Sequence, residues 1–80
     1  LALPGDETVL EPETARELFG LTMAEARLAV ILTQGVSLVE AARRLGITHN
    51  TAKTQLRAIF AKTGARRQSQ LVSILAAAGA

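Results

Sequence analysis

The chain predicts an all-α fold: a small four-helix domain built around a central helix-turn-helix, preceded by one more short helix at the N-terminus. Three observations carry that expectation. Apolar residues recur at spacings of three, four and seven, as along Leu21, Ala24, Leu28, Ile31 and Leu32, which is the period of one helix face. The pattern Ser/Thr-x-x-Glu occurs at Thr22–Glu25 and again at Ser37–Glu40, with single glycines where helices should stop; these are start and stop signals. Residues 37–57, SLVEAARRLGITHNTAKTQLR, read as two short helices joined by a tight turn at Gly46.

Eighty residues make one small domain, of which residues 1–20 are expected to form a linker and short helix and residues 21–80 the main body. About half the residues are apolar, a globular composition, and Phe19 and Phe60 are the two aromatics. The core is therefore expected from Leu, Ile, Val and Ala, with a stability of only about 3–5 kcal/mol. The chain has no cysteine, which removes disulfides and thiolate metal sites and fits a reducing, cytoplasmic setting. No apolar run approaches the roughly 18 residues that span a bilayer, so no membrane partner is expected. No signal peptide is visible, and the start at Leu1, without a Met, fits a piece of a longer protein.

The net charge of +2 hides an asymmetry. Residues 1–40 hold all seven acidic groups and only Arg16 and Arg27, whereas after Glu40 there are seven Lys or Arg and no acid. A polyanion, most simply nucleic acid, would face the C-terminal half. A solvated basic surface gives the same counts, so placement on helices has to decide.

Residues 1–11, with the turn signal Pro4-Gly5-Asp6, are expected to be a linker. Pro12 to Phe19 is expected as a helix: Pro12 suits the first turn, Glu13 the positive end and Gly20 the stop. Leu18 and Phe19 would pin it to the body. Leu21 to Gln34 follows as a firmer helix, with a capping box from Thr22 and Glu25. Glu25 has a catalytic alternative, but no second carboxylate or His accompanies it. Ser37 to Leu45 opens with the same box, Ser37 and Glu40, and turns Leu38, Ala41, Ala42 and Leu45 inward. Ala42 is small where the next helix crosses, Gly46 can take φ > 0, and Ile47 plugs the corner. Thr48 caps a helix to Thr63, without a box because position 51 is Thr. On its wheel Ala52, Leu56, Ile59, Phe60 and Thr63 share one side; Asn50, Lys53, Thr54, Arg57 and Ala61 share another. A last helix ends near Ala78, buries Leu71, Ile74, Leu75 and Ala78, and lacks a good N-cap. Val72, Ala76 and Ala77 would lie on its outer face, either as a self-association surface or as a half-buried edge.

Lys53, Thr54 and Arg57 have the residue types and the i, i+1, i+4 spacing for reading bases from a helix in the major groove. Arg57 can grip guanine with two hydrogen bonds, Thr54 can meet a thymine methyl, and Lys53 can reach guanine or phosphate. Thr48, Asn50 and Thr51 lie where short polar groups and helix amides meet phosphates; Lys62, Arg66 and Arg67 are expected further out as backbone clamps. His49 fits an exposed polar group at a helix start, with a phosphate contact or pH switch as the alternative. There is no phosphate loop, metal-ligand cluster or nucleophile–base set, so neither enzymatic activity nor a cofactor is expected.

With these residues placed, the stretch from Leu21-Thr22 to about Leu75 resembles the C-terminal DNA-binding domain of LuxR-type bacterial transcription regulators. The motifs are LTMAEARLAVIL, QGVSLVEAARRLGIT, NTAKTQLRAIFAKTG and RQSQLV. The resemblance implies four helices, the third in the major groove through Lys53, Thr54 and Arg57 with Thr51 near phosphate, and the fourth mediating homodimerisation. It further implies an inverted-repeat operator, an N-terminal sensor or receiver domain, and RNA polymerase as a partner. The chain departs from the pattern in having Ala52 for a usual Val, Gln55 for a frequent His, Thr63 for a common Leu, and Gln68 for an Arg. Two alternatives share the motif: a protein-interaction module, and the promoter-recognition module of sigma factors.

Overall fold

The computed structural model describes residues 11–79, so the linker expected over the first ten positions lies outside them. Five α-helices follow one another: α1 Pro12–Phe19, α2 Met23–Leu32, α3 Leu38–Leu45, α4 His49–Thr63 and α5 Gln68–Gly79. Among the described residues there is no strand. The class and the order, one short helix ahead of four, are those expected.

In α1 the anchor differs from expectation. Leu18 is 56% exposed, whereas Ala15 is fully buried and Phe19 half-buried. Pro12, Ala15 and Phe19 share the side turned to α2, and Leu18 lies about a quarter-turn away from them. A small alanine lets α1 lie close on its neighbour, and Leu18 is left in solvent.

The expected helix over 21–34 is shorter, because Leu21 precedes the cap and Thr33 to Gly35 form the exit turn. Its capping box is complete: Thr22 N–H donates to Glu25 Oε1 at 3.0 Å, and Glu25 N–H to Thr22 Oγ1 at 3.1 Å. The buried stripe needs correction. Ala24 is exposed, while Ala26, Leu28, Ala29, Val30 and Leu32 are all buried. This helix packs against α1, α3, α4 and α5, so a single stripe is too narrow to describe its apolar surface.

Only half of the second expected box forms. Ser37 Oγ accepts from Glu40 N–H at 3.1 Å, but the Glu40 carboxylate turns to Arg43 at 3.2 Å and Arg44 at 3.1 Å. A guanidinium one turn ahead is a stronger, charge-assisted partner than a neutral backbone N–H. The helix ends as expected at Gly46, φ 71° and ψ 30°. There Ile47 N–H donates to Ala42 O at 3.0 Å and Gly46 N–H to Arg43 O at 3.2 Å, a Schellman closure. Ala41, Ala42 and Ala52 are essentially inaccessible, which lets α3 and α4 pack closely in a helix-turn-helix-like arrangement.

On α5, Leu71 and Leu75 are fully buried and Ile74 half-buried, against α2 and α4. Ala78, expected inside, is exposed, because the helix continues past its last buried residue, Leu75. Two glutamines fasten its start. Gln68 Nε2 donates to Val36 O at 3.2 Å, and Gln70 Oε1 accepts from Arg66 N–H at 2.8 Å.

Candidate nucleic-acid interface

Polarity divides α4 as its sequence predicts. Ala52 and Ile59 are fully buried; Leu56, Phe60 and Thr63 are half-buried; Asn50, Lys53, Thr54, Arg57 and Ala61 are exposed. The three residues expected to meet bases therefore share one solvent-facing side of a helix whose opposite side is core. Thr54 Oγ1 donates to Asn50 O at 3.2 Å, so its hydroxyl proton is engaged with the backbone. It offers outward its methyl group and an oxygen lone pair.

At the start of α4, Thr48 Oγ1 accepts from Thr51 N–H at 3.0 Å and donates to Thr51 Oγ1 at 2.9 Å. The cap leaves the Thr51 hydroxyl proton unspent. The N–H groups of His49 and Asn50, in the first turn, have no acceptor within the helix. Thr48, Asn50 and Thr51 are all exposed, so donors and a positive helix end face solvent together. Arg66 and Arg67, also exposed, stand on the connection to α5, beyond the far end of a helix about 22 Å long. They are therefore not gathered with the Thr48–Thr51 group.

Ion pairing alters the count of available cations. Among the described residues Arg43 and Arg44 pair with Glu40, and Lys62 pairs with Glu25 at 2.7 Å. Of the seven cations after Glu40, this leaves Lys53, Arg57, Arg66 and Arg67 without an acidic partner there. Lys62, expected as a phosphate clamp, has its ammonium held against α2. Burial pushes the Glu25 carboxyl up, but the hydrogen bonds from Lys62 and Thr22 outweigh it and hold the group below its ordinary value of 4.5.

Two hollows beside α4 had no counterpart in the sequence pattern. One is a shallow groove with an apolar floor of Leu38, Leu56 and Phe60 and a rim of His49, Lys53 and Arg57. Leu56 and Phe60 lie on the packed side of the wheel, but α3 covers them only partly. The other lies among Ala24, Arg27, Leu45, Ile47 and Gln55, where Gln55 Oε1 is buried without a hydrogen-bond partner; nothing in the structure explains it. On α5, Val72 is half-buried and Ala76 and Ala77 are exposed. The Glu25–Lys62 pair and the Gln68–Val36 tie link residues 37 and 32 apart in sequence, too far for local spacing to signal them. Comparison with protein-family models, curated proteins and solved structures finds no match for this chain.

Proposed function

We propose that this domain binds double-stranded DNA sequence-specifically, as the non-enzymatic output module of a LuxR-type bacterial transcription regulator. The observation that supports it most is the exposed side of α4, where Lys53, Thr54 and Arg57 stand together without competing ion pairs among the described residues. In this proposal α4 enters the major groove, Arg57 and Lys53 read base edges, and the Thr54 methyl meets thymine. Thr48, Asn50 and Thr51 would seat a phosphate at the start of the helix, and Arg66 and Arg67 a second stretch of backbone. Val72, Ala76 and Ala77 on α5 would join two copies over an inverted repeat. A sensor or receiver domain upstream and RNA polymerase complete the proposed setting.

The groove floored by Leu38, Leu56 and Phe60 favours a second reading, a protein-interaction module. Affinity for random duplex, titrated against salt, separates the two. On random duplex, where Lys53 and Arg57 meet no cognate base and turn to phosphates alongside Arg66 and Arg67, the log–log slope is about −3 to −4 per domain, at about −0.9 per neutralised phosphate. Arg57→Ala should then cost about 1–3 kcal/mol on a selected site and relax specificity at one base position. A flat salt dependence overturns the DNA proposal in favour of the interaction module.

A further inference from the structure

Lys62 counts by composition among the cations of the C-terminal half, yet its contact is with another helix. We infer that Glu25 and Lys62 are positioning residues: their ion pair braces the last turn of α4 against the first turn of α2 and sets the pose of Lys53, Thr54 and Arg57, while Lys62 touches no phosphate. The DNA-facing part of this inference rests on the function proposed above.

The carboxylate is fixed before Lys62 meets it. Glu25 Oε1 accepts from Thr22 N–H at 3.0 Å, the Glu25 N–H is held by Thr22 Oγ1 at 3.1 Å, and the same Oε1 receives Lys62 Nζ at 2.7 Å. The side chain of Glu25 is only 11% exposed, and a charge buried to that degree requires a partner. Were Lys62 to reach for phosphate, that carboxylate would lose its only cationic partner among the described residues and keep only the Thr22 N–H. The ends being joined also suit the charges: an acid lies at the positive end of α2 and a base at the negative end of α4.

The pair spans 37 residues of sequence, so it is a tertiary tie. At its other end α4 is fixed by the Schellman closure at Gly46 and by Ile47. Arg57 lies eight residues from the start of α4, about 12 Å along the axis. Each 10° or so of tilt about that start would move it by about 2 Å, more than a two-pronged hydrogen bond tolerates.

The test compares wild type with Lys62→Met, Glu25→Gln, the double variant and Lys62→Arg. Helicity by circular dichroism and the urea midpoint are recorded for each, and binding is measured well below the midpoint. On a duplex selected from a random pool, Lys62→Met and Glu25→Gln should each lose affinity by about ten-fold, and the double variant no more than either, the non-additivity of one shared contact. Affinity for random duplex should change little, and its salt slope by less than about 0.3. Lys62→Arg should restore binding to within about three-fold. A phosphate clamp predicts otherwise: Lys62→Met weakens all sequences alike and flattens the slope by about 0.9, and Glu25→Gln frees the lysine and tightens binding. Either of those results overturns the inference. If wild type shows no salt-dependent duplex affinity, the DNA proposal fails on its own, and the brace is judged by urea unfolding of the same cycle. Additive losses there, or Lys62→Arg behaving as Lys62→Met, would refute it.

Discussion

Replacing Ala42 by leucine tests how the alanines between α3 and α4 aim the exposed helix. Ala42 is 3% exposed, its carbonyl accepts the Ile47 N–H that closes the turn, and Ala41 and Ala52 beside it are fully inaccessible. Three extra carbons have no space there, and overpacking of this kind costs about 1–3 kcal/mol. Against the 3–5 kcal/mol or so expected of so small a core, a loss near 2 kcal/mol removes about half the stability. It lowers Tm by roughly 8–16 °C, at about 4–8 °C per kcal/mol for a domain of this size. The matched control is Val39→Ala on the same helix, where the side chain is 58% exposed and the change should stay within about 0.5 kcal/mol. Urea unfolding followed by circular dichroism measures both, with duplex affinity taken on the folded fraction. Affinity should fall further than the unfolded fraction explains, because relief of the clash shifts α4 relative to α3. An unchanged urea midpoint for Ala42→Leu would show that the two helices do not meet as described.

Three further expectations follow. The box at Thr22 is reciprocal and the one at Ser37 is not, so Thr22→Ala should cost about 1–2 kcal/mol and Ser37→Ala about 0.5–1 kcal/mol, both read from urea midpoints. Gly46 has φ 71° and nothing within 4 Å of a Cβ built on it; Gly46→Ala should therefore cost about 1–2 kcal/mol from backbone conformation alone, with Gly46→Asn recovering part of it. Glu25 is held below its ordinary 4.5 in the folded state, so it binds its proton more weakly folded than unfolded. Its contribution is present above the ordinary value and is lost as pH falls through the lowered one. Comparing the acid side of the stability–pH curve of wild type with that of Glu25→Gln should show the variant's curve as the shallower; equal slopes would contradict the assignment.

How much of this was legible in the sequence depended on the range of the interaction. Caps and stops are local, and Thr22, Ser37, Thr48 and Gly46 all lie where the residue pattern puts them. The division of α4 is a wheel property and was equally legible. Failures began where a helix meets more than one neighbour. The apolar surface of α2 exceeds its stripe, Ala24 is exposed, and Ala15 takes the place expected for Leu18. A period shows which residues share a side, but not how many sides are covered. Least legible was the long-range ion pair, since Lys62 finds Glu25 across 37 residues. The preference of Glu40 for Arg43 and Arg44 over its own cap is a contest between two local spacings that the sequence offers equally.

That last point changes what the charge asymmetry means. Seven cations and no acids after Glu40 would describe a uniformly basic half if the chain stayed apart from its N-terminal acids. In the fold Glu25 reaches Lys62 and neutralises it, while Glu40 sits between Arg43 and Arg44 on its own helix and leaves that cluster one net positive charge. The net charge is unchanged, but its distribution sharpens. The cations without an acidic partner among the described residues of the C-terminal half fall into two groups, Lys53 with Arg57 on the exposed side of α4 and Arg66 with Arg67 past its end. A merely solvated basic surface gains nothing from such sorting, because screening by salt makes exposed charges nearly interchangeable. A helix that enters a groove does gain, since cations at the reading positions carry specificity while those elsewhere add only sequence-blind affinity. The placement of Glu25 and Glu40 thus adds to the support that the groove-reading proposal draws first from Lys53, Thr54 and Arg57.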